Sequence, residues 1–162
     1  MSNAHETWSA AWEAMEQGDV RLAYDLFLRS ANEGNADAQV AIGYAIEHGD
    51  FHWLDPADAD LWYQRAAEQN NMCALYNIGL NKIQRGELVD AFAVMKRAYM
   101  AGEQDALVHL LELFRYSGLP AGDDVFFKAK LRTALRRRDV SDALVTRGRA
   151  LLSATDSGLQ AP

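Results

Sequence analysis

Several kinds of residue and segment are scarce in this chain of 162 residues, and each shortage excludes a class of structure. Cys73 is the single cysteine, so an internal disulfide is excluded and a reducing compartment is favoured. No apolar run approaches the roughly 20 residues that a membrane-spanning helix needs. The first residues lack the basic and then apolar segments of a secretory signal. We therefore expect a cytoplasmic protein that has no contact with a membrane.

Proline and β-branched residues are also scarce, with only three prolines, whereas alanine is abundant. This composition favours helix throughout the chain. Apolar residues make up 49% and charged residues 24%, which is the balance of a folded domain and not of a disordered chain. The length allows one domain with a sizeable core. The composition therefore predicts a single all-α domain.

The net charge of −7 is unevenly distributed along the chain. Residues 1–127 carry 20 Asp and Glu against 8 Lys and Arg, whereas residues 128–162 carry 3 acids against 8 bases. The acidic part would repel nucleic acid, so we expect no nucleic-acid partner. The basic end, centred on Arg136, Arg137 and Arg138, is interpreted as an end cap or as a docking site for an acidic partner, which includes the acidic part of a second copy. We expect a monomer or a weak homodimer.

An internal repeat is the most informative feature of the sequence. Ala38, Ala74 and Ala106 lie 36 and then 32 residues apart. Residues of similar type recur at the same spacings in four further sets: Ala23, Ala59 and Ala91; Leu26, Trp62 and Val94; Phe27, Tyr63 and Met95; and Ser30, Ala66, Ala98 and Ala134. A fixed period of this length is typical of solenoid proteins, in which each repeat is a pair of helices.

The residue types within each repeat predict where its helices begin, end and cross. The first helices are expected to end at Gly18, Gly49, Gly86 and Gly118, because glycine readily adopts the left-handed conformation that closes a helix. Asp55-Pro56 is expected to begin a second helix, with Asp55 as its N-cap. Gly43 and Gly79 lie inside first helices at one register, which predicts a close helix crossing. Trp62 and Tyr63 are expected to fill the core beside it.

The residues Ala36–Gly43, then Gly49, then Ala59–Asn70, closely resemble the Sel-one-like repeat, a relative of the tetratricopeptide repeat. The resemblance covers about residues 8–135. It weakens in the later repeats, and in the last one Leu111 stands at the register of the crossing glycines Gly43 and Gly79. It implies an α/α superhelix (solenoid) of about four stacked helix pairs within one domain. The implied ranges are a domain over 1–152, repeats at about 6–33, 36–70, 72–102 and 105–138, a capping helix at 140–153 and a disordered tail at 154–162.

The resemblance also implies a function, namely the binding of another protein or a peptide in the concave groove that first helices line. The exposed positions that it implies there are Val40, Tyr76 and Val108, and Tyr44, Leu80 and Glu112. For Tyr44 and Tyr76, packing against the adjacent repeat is an equally good interpretation. An adaptor or regulatory scaffold is the first hypothesis. A chaperone-like or neutralising partner of a specific protein, such as a toxin or a secreted effector, is the alternative.

Residues that carry catalytic or metal chemistry do not form a recognisable pattern. His48 and His52 are separated by Gly49-Asp50, which ends the helix between them, so we expect no metal site. The sequence contains no phosphate-binding loop and no nucleophile elbow, so we expect no cofactor and no enzyme. Cys73 is expected to be a buried small residue, the alternative being a thiol activated at a helix N-terminus.

One basic register remains open to two interpretations. Arg29, Arg65 and Arg97 recur at the repeat spacing on successive second helices. We expect a solvated stripe that pairs with neighbouring acids, the alternative being a ladder of bases for an acidic ligand.

Overall fold

A computed structural model describes residues 3–117, 122–136 and 142–156. Over these residues the chain is all-helical, without strands, as predicted. The helices are α1 (Asn3–Glu16), α2 (Val20–Asn32), α3 (Ala36–Glu47), α4 (Asp58–Glu68), α5 (Met72–Gln84), α6 (Leu88–Ala101), α7 (Ala106–Ser117), α8 (Gly122–Ala134) and α9 (Asp142–Asp156).

The contacts divide the chain into two compact units, an N-terminal unit (Met1–Ile78) and a C-terminal unit (Gly79–Pro162). In the N-terminal unit α1 packs on α2, α2 on α3 and α3 on α4. In the C-terminal unit α7 packs on α6, α8 and α9. Helix α9 extends to Asp156, beyond the predicted end of the cap, so the predicted tail lies outside the described residues only from residue 157 onwards.

Glycines end the first helices as expected. Gly18, Gly49 and Gly86 have φ angles of +79°, +82° and +76°, which a side chain would strain. The fourth glycine of this series, Gly118, lies outside the described residues.

Two asparagines at one register begin the next first helices. The Asn35 side chain accepts hydrogen bonds from the N–H groups of Asp37 and Ala38 at 2.9 and 3.2 Å. The Asn71 side chain accepts one from Ala74 at 3.1 Å. Each satisfies backbone donors that the first turn of a helix leaves unpaired. The repeat therefore extends to the local chemistry at the ends of its helices.

The prediction that Asp55 caps α4 is wrong. Helix α4 begins at Asp58, and its N-cap residue Ala57 makes no side-chain capping bond. The Asp55 carboxylate accepts instead from the Ala57 N–H at 2.9 Å. It therefore closes a turn just before the helix, and the free N–H groups of the helix itself are not its partners.

Four of the five recurring registers form the core, as the repeat predicts, whereas the register of Leu26, Trp62 and Val94 is half-buried in each repeat. Of the four buried registers, three hold small residues and one holds large residues, and all of their members are buried. The buried sets are Ala23, Ala59 and Ala91; Phe27, Tyr63, Met95 and Leu131; Ser30, Ala66, Ala98 and Ala134; and Ala38, Ala74 and Ala106. Because the same positions are buried in both units, the sequence repeat is also a repeat of packing.

The predicted close crossing is confirmed at both glycines. A Cβ on Gly43 would lie 3.0 Å from two ring carbons of Tyr63 and 3.2 Å from the carbonyl oxygen of Ala59. A Cβ on Gly79 would lie 2.7 Å from the terminal methyl of Met95. In these two hairpins, the large residue of the second helix thus fills the space that a side chain on the glycine of the first helix would need.

The two aromatic residues of α4 have different surroundings, so the prediction that both fill the core is wrong for Trp62. Tyr63 is fully buried, and its hydroxyl donates to Glu47 Oε2 at 2.9 Å. Burial first, and then the hydrogen bond to Glu47, raise the pKa of Tyr63. Trp62, one residue and about 100° further round the helix, is only half-buried, and the Arg65 guanidinium lies 4.7 Å from its ring centroid.

Tyr63 and Trp62 are therefore expected to differ in their contributions to stability. Tyr63→Ala should lower the free energy of unfolding by about 3–5 kcal/mol, because it leaves a cavity and an unpaired Glu47 contact. Trp62→Ala should cost about 2 kcal/mol less, because solvent already reaches that ring. Urea unfolding followed by circular dichroism measures both changes. A larger loss for Trp62→Ala would contradict the packing described above.

The two glycines of the crossing are also expected to differ. Alanine is a better helix former than glycine by about 1 kcal/mol, so alanine would be stabilising in an open helix. Gly43→Ala should instead destabilise by about 1–3 kcal/mol, because its methyl meets a rigid ring and a backbone carbonyl. Gly79→Ala should cost less, because the flexible Met95 side chain can move aside. Thermal melts of the two variants test this order, and a raised melting temperature for Gly43→Ala would contradict it.

Candidate functional site

In the N-terminal unit, Tyr44 is the most exposed of the predicted partner-binding positions. Its side chain is 47% exposed, whereas Val40 and Tyr76 are half-buried. The Tyr44 ring stacks on the His48 ring with centroids 3.8 Å apart, and His48 Nδ1 lies 2.9 Å from the Tyr44 carbonyl oxygen. The stacking covers one face of the tyrosine ring and leaves the rest of it exposed to solvent.

Helix α1 carries two further aromatic residues at these registers, which the sequence analysis missed. The three-residue loop between α1 and α2 matches the loop between α5 and α6 in length. Ala11 precedes Phe27 by 16 residues, as Gly79 precedes Met95. This match places Trp8 at the register of Tyr76, and Trp12 at the register of Tyr44 and Leu80. The shared 16-residue spacing from Ala11 to Phe27 and from Gly79 to Met95 is the sequence signal by which both tryptophans could have been predicted.

Trp12 is anchored in the core and also open to solvent. Its ring makes an edge contact with Phe27 at a centroid distance of 5.2 Å, and another with Trp8 at 6.5 Å. It is nevertheless 41% exposed. In the part of the chain that the structure describes, the indole nitrogen of Trp8 is the one buried side-chain nitrogen or oxygen without a hydrogen-bond partner.

The aromatic residues lie near the C-terminal ends of two helices that run in the same direction. The chain reverses between α1 and α2, and again between α2 and α3, each time over three residues. The C-terminal ends of α1 and α3 therefore lie at the same end of this unit. Each helix ends at an exposed glutamate, Glu16 or Glu47, and neither has a basic residue in its last turn. We refer to Trp12 and Glu16 of α1, together with Tyr44 and Glu47 of α3, as the α1–α3 face.

The electrostatics of the α1–α3 face are unusual for helix ends. The C-terminal end of a helix carries partial negative charge, so a basic residue there is stabilising and an acidic residue is not. Both ends instead add a carboxylate to that negative charge, and at the end of α3 the His48 ring pairs with one carbonyl oxygen, that of Tyr44. The N-terminal unit as a whole carries 13 Asp and Glu against 3 Arg and no Lys.

All three arginines of this unit are engaged within it. The Arg21 guanidinium lies 4.0 Å from the ring centroid of Trp53, and Arg65 lies over Trp62. Arg29 pairs with Glu33 at 3.5 Å, which confirms the predicted pairing for that residue. The N-terminal unit therefore has a large excess of negative charge, the α1–α3 face contributes two of its carboxylates, and the arginines of the unit are engaged elsewhere.

In the C-terminal unit the prediction that Val108 is exposed is wrong, since only 2% of this residue is exposed. Val108 lies on α7, which packs against three helices, including α9. Leu80 is half-buried. Of the predicted basic end, Arg136 is exposed, and Arg137 and Arg138 lie outside the described residues.

Glu112 lines a largely apolar cleft of about 270 Å³ between helices of the C-terminal unit. Arg147 of α9 binds it with two hydrogen bonds, from Nε to Oε1 at 2.6 Å and from Nη2 to Oε2. His109 Nδ1 lies 3.4 Å from Oε2. The remaining lining residues are Ile83, Leu88 and Leu113. Glu112 thus holds α9 on α7, and both of its oxygens have partners within the chain.

The pKa of Glu112 reflects these contacts. Burial is the largest single influence and raises the pKa, but the hydrogen bonds and charges of His109 and Arg147 together outweigh it. The net result is a pKa below the usual value for glutamate. The carboxylate is therefore charged, and it attracts Arg147, at neutral pH.

The remaining chemical groups show no arrangement for catalysis or metal binding in the described part of the chain. No three His, Cys, Asp or Glu side chains there are grouped as metal ligands. Cys73 is exposed, so the prediction that it is buried is wrong. It is the second residue of α5, at the register of the exposed Asp37 in α3. Among the described helices, none has the length and apolarity to cross a membrane.

Comparison with known proteins does not assign the chain to a family. The sequence matches no model of a known protein family, and no curated protein matches it.

The Glu112–Arg147 pair leads to a prediction with a defined pH dependence. Because the pKa of Glu112 is lowered on folding, its stabilising effect is present above the unfolded pKa of about 4.5 and is lost as pH falls through the lower folded pKa. Arg147→Ala should reduce the free energy of unfolding by about 1 kcal/mol at pH 7, a value discounted for the exposure of Arg147. The loss should shrink when the pH is lowered to about 3.

A neighbouring arginine on α9 provides the control for this experiment. Arg149 is exposed, and Arg149→Ala should change the free energy of unfolding by less than about 0.5 kcal/mol at either pH. Urea unfolding at pH 7 and at about pH 3 measures the loss of unfolding free energy for both variants. Equal losses for both arginine variants would show that α9 is not held through Glu112.

Proposed function

We propose that this chain is a protein-interaction module, an adaptor or regulatory scaffold, that binds a partner protein or peptide on the α1–α3 face. Its helix hairpins would stack as an α/α superhelix of the Sel-one-like type. The support for this architecture is the recurrence of the buried registers and of the small-against-large crossing from hairpin to hairpin. The binding function is the one that helix-pair repeats serve with their first helices.

The observation that carries the proposal is the exposure of Trp12 and Tyr44 at one register of α1 and α3. Large aromatic residues that are partly open to solvent, and fixed by contacts to their neighbours, lose little conformational entropy when a partner covers them. Tryptophan and tyrosine are also the residues most enriched where truncation costs the most binding energy. Both side chains are pre-positioned here, Trp12 by Phe27 and Tyr44 by His48.

The test is a comparison of partner capture by matched variants. Tyr44→Ala removes an exposed ring from the α1–α3 face, and Leu61→Ala removes an exposed side chain from α4, a second helix, where Leu61 is 55% exposed. Both should fold with melting temperatures close to the original, because neither side chain is in the core. Tagged protein of each kind is used to capture partners from the cell of origin, which mass spectrometry then identifies.

The expected result is a partner that is retained by Leu61→Ala and lost with Tyr44→Ala. With that partner purified, Tyr44→Ala should weaken binding by about 2 kcal/mol, roughly 30-fold in Kd. Retention of every partner by Tyr44→Ala, with loss by Leu61→Ala, would place the binding surface on the second helices and contradict the proposal.

A further inference from the structure

The α1–α3 face has a chemistry that selects one class of partner. It combines two exposed aromatic rings with two glutamates at the negative ends of helices. A positive charge placed there would meet the carboxylates, the helix dipoles and the electron-rich faces of the rings together. An anionic or purely apolar partner would leave these charges unpaired or buried, which is costly.

The same unit already makes the contact that such a partner would make. Arg21 lies over Trp53 at 4.0 Å and Arg65 lies over Trp62 at 4.7 Å. Two of the three arginines in the unit are thus placed on tryptophan faces, and the third is paired with Glu33. Trp12 has no such arginine among the described contacts, although it is partly exposed within an excess of carboxylates.

We propose that the α1–α3 face binds an arginine-bearing extended segment of a partner protein, with guanidinium groups stacked on Trp12 and Tyr44 and paired with Glu16 and Glu47. This inference rests on the proposed function and specifies its partner. Arginine fits better than lysine, because its planar guanidinium stacks on aromatic rings and binds a carboxylate through two hydrogen bonds. The charge excess of the unit also speeds the approach of such a segment.

The experiment uses the full chain and a fluorescein-labelled peptide of alternating arginine and glycine. Peptides with lysine or glutamate in place of arginine are the comparison probes. Binding is followed by fluorescence anisotropy at physiological ionic strength. The arginine peptide should bind, the lysine peptide should bind about threefold or more weakly, and the glutamate peptide should not bind.

Variants separate ring contacts from general attraction. Tyr44→Ala and Trp12→Leu should each raise the Kd for the arginine peptide about tenfold or more. Tyr44→Phe keeps the ring, so its Kd should stay within about twofold of the original. Trp12→Leu keeps an apolar contact for Phe27, so it is expected to fold. The melting temperature of each variant is measured alongside, and Tyr44→Ala provides the same test at a residue outside the core.

A matched pair of charge variants completes the design. Glu16→Gln combined with Glu47→Gln removes two charges from the face, while the amide oxygen at position 47 can still accept from the Tyr63 hydroxyl, and it should weaken binding of the arginine peptide about tenfold. Asp25→Asn combined with Glu68→Gln removes two charges from exposed positions of α2 and α4 and should change binding by less than about twofold. Equal losses for the two pairs would mean attraction to net charge alone and would overturn the proposal.

Two further results would overturn it without removing the proposed function. One is a captured partner that depends on Tyr44 while neither the arginine nor the lysine peptide binds. The other is self-association in analytical ultracentrifugation that Tyr44→Ala abolishes, which would make a second copy of this chain, and not a segment of another protein, the occupant. A monomer that binds the arginine peptide through the aromatic rings is the result that supports the inference.

Discussion

The contact between a glycine of the first helix and a large residue of the following second helix determines how the α3–α4 and α5–α6 hairpins are built. At Gly43 the backbone of α3 meets the Tyr63 ring, and at Gly79 the backbone of α5 meets Met95. Each helical residue is rotated by about 100° from the one before it. The residue after Gly43 is therefore turned away from the crossing, and it is the exposed Tyr44. Trp12 follows Ala11, the small residue of α1, in the same way. The packing that stabilises a hairpin thus also fixes which side chain of its first helix is exposed to solvent.

The sequence predicted the parts of this structure that depend on local pattern. The repeat spacing identified which residues are buried, and the glycines identified the ends of the first helices. The predicted exposure of Val108 and the predicted burial of Cys73 were wrong. The position of a residue within the repeat indicates the face of the helix on which it lies, but not which other elements cover that face. Val108 lies on a helix that packs against three others, whereas Cys73 is at the start of its helix and remains exposed. Similarly, the partner of Glu112 is a residue of α9 that is 35 positions away, a distance that no short-range pattern spans.

The candidate binding surface was predicted in part, for a reason that lies in the lengths of the loops. Tyr44 was found because its repeat has the spacing of the resemblance. Trp12 was missed because the first hairpin has a shorter loop than the second, so that a single 36-residue step places α1 out of register. Charge completes the description, since the unit that carries both rings has ten more acidic than basic residues. The fold accordingly leaves two aromatic rings and two carboxylates exposed near the C-terminal ends of α1 and α3.

The central claim, that a partner protein covers the first-helix surface of the N-terminal unit, is tested most directly by site-specific photo-crosslinking. A benzoylphenylalanine residue is introduced in place of Tyr44 in one protein and in place of Leu61 in another, and both are irradiated in the cell of origin. Both positions are exposed, so the two proteins offer the probe equally to solvent. The account predicts a discrete crosslinked product with a second protein from position 44 and none from position 61. A product from position 61 alone would contradict it.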